Sequence, residues 1–163
     1  MQIKEHSVSA QLKEAVRDLY DDYAQAVDAE QLDRWIGFFS DDAVYRVIAR
    51  ESHSLGLTHA TIYCEGIGMI RDRAKMLQKV AVFEPRVLRH FITGVRIQSA
   101  SADCIVASAN FLIIESLFDA EPVLLMVGQY QDEIISREGD LCFRKRDAIY
   151  DQYRVRTTLV MPV

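Results

Sequence analysis

The sequence predicts an α+β fold, with helices drawn mainly from the first half packed on one face of a curved, mostly antiparallel sheet drawn mainly from the second. Three observations carry this. Leu12, Ala15, Val16, Leu19, Tyr20, Tyr23, Ala26 and Val27 recur at three- and four-residue steps, the stripe of an amphipathic helix. From Val87 to Tyr150 the chain turns to β-branched and aromatic runs, at 87–98, 104–118, 123–136 and 141–150. Turn signals at Gln98–Asp103, Asp119–Pro122 and Arg137–Asp140 leave only short connections between those runs. Consecutive strands joined by short turns pair antiparallel, and helices followed by such a meander make an α+β layer structure.

The elements follow in order. Ser9 stands ahead of the first stripe as an N-cap, and Lys13, Glu14, Arg17, Asp18, Asp21 and Asp22 occupy the opposite face. Asp28, Ala29 and Glu30 form a turn into a second helix over 31–39, with Leu32, Trp35, Ile36 and Phe39 facing inward. Ala43 to Ile48 reads as a strand, Arg50 to Gly56 as a loop, and Leu57 to Cys64 as another short strand. Met69, Ile70, Ala74, Leu77, Val80 and Ala81 return to helical spacing until Glu84-Pro85 ends it. In the third long run Gln129, Gln131 and Glu133 share one parity, and Tyr130, Asp132 and Ile134 the other. Substantial residues on both parities predict a sheet covered on both faces, by the chain's own helices and by a partner subunit. The apolar tail from Thr158 to Val163 predicts a docked segment, lying along the sheet edge or against a neighbouring subunit.

Composition narrows the function classes. The 163 residues are half hydrophobic and about a quarter charged, the profile of one domain spanning 1–163. The formal net charge is −5 and the basic residues are dispersed, which argues against nucleic acid as a partner. The residues from Met1 to His6 lack the apolar stretch of a signal peptide, and the longest apolar run is Val123–Val127, far short of the ~20 residues of a membrane span. The expected location is the cytoplasm. Cys64, Cys104 and Cys142 are odd in number and widely spaced, so they predict small buried apolar residues in place of disulfides or a structural zinc site.

Several segments carry a family resemblance. Leu32-Asp33-Arg34-Trp35, Phe39, Asp41-Asp42-Ala43-Val44-Tyr45 and Arg50-Glu51 form one block, and Gly68-Met69-Ile70-Arg71-Asp72-Arg73 a helix entry. Arg89-His90-Phe91-Ile92-Thr93-Gly94-Val95-Arg96, Ala109-Asn110-Phe111 and Gly128-Gln129-Tyr130-Gln131-Asp132 lie on successive strands, and the chain finishes Thr157-Thr158-Leu159-Val160-Met161-Pro162-Val163. In order and spacing, over residues 9 to 163, these resemble the beta (small) subunits of bacterial aromatic-ring-hydroxylating dioxygenases, the Rieske non-haem iron oxygenases. Within that family they look most like the salicylate, anthranilate and terephthalate branch. The resemblance implies the cystatin-like cone of nuclear transport factor 2, ketosteroid isomerase and scytalone dehydratase. It also implies a non-catalytic, structural subunit of an oxidoreductase in the catabolism of aromatic compounds. The Rieske iron–sulfur cluster and mononuclear Fe(II) would sit in a catalytic alpha subunit, three alpha and three beta chains would assemble with beta–beta contacts, and a reductase, often with a ferredoxin, would deliver electrons from NADH or NADPH.

The residues are consistent with a chain that holds no cofactor of its own. A Rieske centre takes Cys-x-His and Cys-x-x-His pairs, and none of the three cysteines is followed by histidine at either spacing. A facial iron triad takes two histidines and a carboxylate. His53 and His59, with Glu51 or Glu65, are the only cluster along the sequence, and their six-residue separation fits no ligand motif. No catalytic, cofactor-binding or metal residue is therefore expected here. The rival expectation is a stand-alone cavity enzyme on the same cone, an isomerase or dehydratase. It would use His90 as acid or base with Asn110 on the adjacent strand, and Tyr45 and Asp28 nearby.

Overall fold

The computed structural model describes residues 8–79, 84–155, 159 and 161–163. Helix α1 (Ala10–Asp28) starts where Ser9 accepts a hydrogen bond from the Leu12 N–H at 3.1 Å, the cap that orphan helix donors require. Its stripe buries Val16, Leu19, Tyr20, Tyr23, Ala24, Ala26 and Val27. Each large apolar side chain so buried is worth about 1.5–3 kcal/mol. Helix α2 (Leu32–Gly37) is shorter than the periodicity predicts. Phe39 belongs to the following strand, where it packs edge-on to Trp35 and Tyr45 with ring centroids 5.2 and 5.6 Å apart.

Strand β1 (Phe39–Ala49) leads into a one-turn helix, α3 (Arg50–Ser54), in the segment expected to be a loop. Five residues are too few for a helical period to show in a sequence. Strand β2 (Ile62–Glu65) is only the last part of the expected 57–64 strand, because its pairing with β1 runs from Val47↔Ile62 to Val44↔Glu65. Helix α4 (Gly66–Lys79) follows; Val80 and Ala81 of the expected helix lie outside the described residues.

The four long strands are β3 (Arg86–Ala100), β4 (Ile105–Leu117), β5 (Val123–Arg137) and β6 (Asp140–Tyr150), within a few residues of the expected bounds. Glu138 and Gly139 both have positive φ at the tight β5–β6 turn, the backbone of a two-residue hairpin that follows strand twist. The sheet order is β2-β1-β6-β5-β4-β3, antiparallel throughout except for the parallel β1–β6 pair. Helices α1, α2 and α4 pack on one face and with that face enclose the core, α1 lying against β3 and β6 and α4 against β1. Gly128 sits where strands crowd: an added Cβ would overlap the Ile149 carbonyl oxygen and lie 2.9 Å from Phe111 Cζ. No helix among the described residues is long and apolar enough to cross a membrane.

Candidate functional site

Two of the four residues expected to form a cavity site meet. Asp28 ends α1 against the edge strand β3, and its Oδ1 accepts from His90 Nδ1 at 2.6 Å. The His90 backbone N–H also donates to the Asp28 carboxylate, at 3.0 and 3.2 Å. The carboxylate therefore fastens the helix to the sheet edge and fixes the imidazole. Because a carboxylate only accepts, Nδ1 is the donor and Nε2 is left as the second ring nitrogen. Nε2 is buried and has no hydrogen-bond partner among the described residues.

The other two residues are elsewhere. His90 pairs with Ile113 across β3–β4 on the inner face, whereas Asn110 pairs with Thr93, is exposed, and belongs to the outer face. The expectation that His90 and Asn110 face one cavity from adjacent strands fails on side-chain alternation: the pairs Thr93↔Asn110 and His90↔Ile113 are three residues apart, so they point to opposite sides. Tyr45 is wholly buried, but its hydroxyl is engaged by the chain's own tail: it accepts from the Val163 N–H at 2.9 Å and donates to the Val163 carbonyl oxygen at 3.3 Å. Tyr23 donates to that same oxygen at 2.8 Å. Met161, Pro162 and Val163 are buried against Leu88, Ile113 and Leu125, and the space left between them is ≈10 Å³. The tail is docked, as its composition predicts, but inside its own cone and not along the sheet edge. Thr157, Thr158 and Val160 lie outside the described residues.

Deeper in the cone is a buried ion pair that sequence reasoning missed. Arg146 on β6 stands opposite Asp132 on β5, with 3.6 Å between Nη1 and Oδ2. Its guanidinium is packed among the rings of Tyr130 (3.7 Å), Tyr23 (4.0 Å), Phe143 (4.2 Å) and Tyr20 (5.1 Å). Tyr20 donates to Asp132 at 2.5 Å. Burial pushes the Asp132 carboxyl up to about 6, with Arg146 pulling the other way. Burial likewise raises Tyr20, Tyr23, Tyr45 and Tyr130, so all four remain protonated donors. The parity of Tyr130, Asp132 and Ile134 marks Asp132 as inward; Arg146 hides in the charged run Arg144-Lys145-Arg146-Asp147.

The remaining candidates are dispersed. Among the described residues no group of three or more His, Cys, Asp or Glu side chains has the arrangement of a metal site. His53 Nε2 lies 4.0 Å from Asp147, whose carboxylate is held by Arg46. Cys64 and Cys142 are buried thiols, raised by desolvation, and Cys104 is half-buried. The outer sheet face carries Val87, Phe91 and Leu124, each about half exposed at 56, 52 and 47%. Beside them Leu112, Ile114 and Val127 line an open cleft with Phe91 and Asn110.

Comparison with known proteins matches residues 8–147 to the SnoaL-like domain family. The chain is 27% identical over 141 residues to the anthranilate 1,2-dioxygenase small subunit of Burkholderia cepacia, covering 86% of this chain and 88% of that one. It is 28% identical over 141 residues to subunit beta 1 of the terephthalate 1,2-dioxygenase terminal oxygenase component of Comamonas sp, covering 86% and 92%. It superimposes with a TM-score of 0.86 on a crystal structure from Novosphingobium aromaticivorans assigned as the beta subunit of an aromatic-ring-hydroxylating dioxygenase, at 32% identity over 94% of this chain and 99% of that one.

Proposed function

Since the chain belongs to the SnoaL-like family and, within it, to the small (beta) subunits of aromatic-ring-hydroxylating dioxygenases, we propose that it is the structural subunit of an oxygenase that hydroxylates an aromatic acid. Salicylate or a related carboxylated ring is the substrate, in keeping with the anthranilate and terephthalate named for its relatives. The Rieske cluster and mononuclear iron belong to the large alpha subunit, which receives electrons from NAD(P)H through a reductase, with or without a ferredoxin. Three alpha and three beta chains assemble in the cytoplasm, with beta chains also touching one another. No residue of this chain takes part in the chemistry, and residues 1–163 act as one domain.

The observation that carries the subunit reading is the outer sheet face. Val87, Phe91, Leu112, Ile114, Leu124 and Val127 form a contiguous apolar surface that the chain's own helices leave uncovered. A surface of this kind on a folded chain marks a partner interface. The cavity-enzyme reading gains the Asp28–His90 pair, but the Tyr45 hydroxyl is engaged by Val163 and Asn110 is on the wrong face. Reconstitution tests the proposal: the large subunit, this chain and the reductase should together hydroxylate a benzoate-type acid with NADH and O2. If this chain alone converts a substrate, or the large subunit assembles and turns over equally well without it, the proposal fails.

A further inference from the structure

Two uncovered features at opposite ends of the sheet are complementary in charge and shape. The first is a groove along the free edge, between α1 and β3. The half-buried Ile92, Val95 and Ile97 and the exposed Lys13, Arg17 and Arg96 line it. It consists of two adjoining hollows of ≈290 and ≈520 Å³ that share Arg17, Val95 and Arg96, and Asp21 lines only the larger one. The pairing of β3 with β4 shifts between Thr93 and Arg96 and again between Ile97 and Ser99, and Gly94 has a φ of +64°. An edge bulged twice offers no continuous ladder to an added strand, so the groove suits a projecting loop. The second feature is such a loop, the β4–β5 turn Phe118-Asp119-Ala120-Glu121. Phe118 is 97% exposed, and the Asp119 and Glu121 side chains beside it are exposed too. Among the described residues none of Lys13, Arg17, Arg96, Asp119 and Glu121 forms an ion pair.

We propose that the β4–β5 turn of one copy of this chain docks in the α1–β3 groove of a second copy. The Phe118 ring covers the apolar lining, and Asp119 and Glu121 meet Lys13, Arg17 and Arg96. A chain cannot fill its own groove. The turn follows Leu117, which pairs with Arg86, and from Arg86 to Arg96 is about 33 Å of strand at ~3.3 Å per residue. The contact therefore joins two different patches, one from each copy, and such a contact closes into a ring or runs on as a filament. A ring of three is the closure that the assembly proposed above requires, and for that number alone the inference rests on the oxygenase reading. The groove shares only Thr93 with the apolar cleft of the outer face, so one chain can engage a second copy at its edge and another partner on its outer face. One loop in one groove is a small contact between exposed charges, weak by itself and sensitive to salt.

The test uses the full chain without any large subunit, so its failure is separable from failure of the oxygenase reading, which co-purification with that subunit decides. Sedimentation equilibrium up to about 1 mM chain should show reversible self-association that weakens about tenfold or more between about 0.05 and 0.5 M salt. Arg17→Glu with Arg96→Glu should weaken it by about tenfold or more, and so should Asp119→Arg with Glu121→Arg, because each places like charges across the contact. All four substitutions in one chain exchange the signs of both patches and should restore association to within a few-fold of the parent. Phe118→Ala should weaken it, whereas Phe91→Glu on the outer face should leave it unchanged. Every altered residue is on the surface, and a melting temperature near the parent's shows that the variant is folded; if a reversed chain does not fold, the salt dependence of the unaltered chain and the Phe118→Ala comparison decide. A chain that stays monomeric at every concentration, association indifferent to salt and to Phe118→Ala, folded reversals that change nothing, failure of the fourfold reversal to restore association, or loss on Phe91→Glu would each overturn the proposal.

Discussion

Replacing Arg146 by methionine removes the cation from the centre of the cone while keeping an unbranched, polarisable side chain among the four rings. Asp132 then remains buried, with the Tyr20 hydroxyl as its only side-chain hydrogen-bond donor among the described residues. Breaking one side of a buried ion pair costs about 3–5 kcal/mol, a large part of the ~5–15 kcal/mol that holds a domain together. With a urea dependence of about 2 kcal/mol per molar, the unfolding midpoint should fall by about 2 M. Trp35, the only tryptophan and fully buried, reports the transition by fluorescence. The loss should also depend on pH. The folded Asp132 carboxyl is already raised to about 6, and losing Arg146 removes the influence that lowers it. Between that raised value and the ordinary 3.8, the folded chain holds a proton that the unfolded chain has released. Acidification through this window therefore favours folding, more so in the variant than in the parent. Adding Asp132→Leu to Arg146→Met should restore most of the stability, because a buried pair replaced by apolar groups is near neutral. A midpoint shift under about 0.5 M for the single variant would refute this account of the core.

Other perturbations separate fold, assembly and chemistry. Gly128→Ala forces a Cβ into the Ile149 carbonyl and Phe111, so calorimetry should find it less stable by about 1–3 kcal/mol, the usual cost of overpacking. Phe91→Glu on the outer face should leave the chain's own melting temperature within a few degrees but prevent co-purification with its partner chains. His90→Ala should leave turnover per assembled complex within a few-fold, where loss of a positioned acid or base would cost about 100-fold or more. It should nevertheless lower thermal stability, because Asp28 loses the imidazole that helps fasten α1 to β3.

The sheet was legible because each long run carries its own period and its own turn residues. The turn signal at Arg137–Asp140 marked the β5–β6 connection, and the parity of Tyr130, Asp132 and Ile134 grouped residues that the structure buries on one face. The α2–β1 boundary was not legible, since Phe39 continues the helical spacing of Leu32, Trp35 and Ile36 and only its pairing with Phe143 makes it a strand residue. The site was partly legible. The cone resemblance brought His90, Asn110, Tyr45 and Asp28 forward as one cavity set, and the structure joins Asp28 to His90. Asn110 was misplaced because relative parity between neighbouring strands depends on register, which no single strand records. The tail's composition predicted docking but not its destination, for the Tyr23 and Tyr45 hydroxyls that receive Val163 are 140 and 118 residues away along the chain.

Co-expression with the oxygenase large subunit, followed by light scattering of the purified complex, tests the central claim most directly. The claim predicts a single stable species of three large and three small chains, with its iron in the large subunit and its assembly lost on Phe91→Glu. A chain that stays apart from the large subunit as a stable monomer, while that subunit assembles and works without it, would contradict the claim.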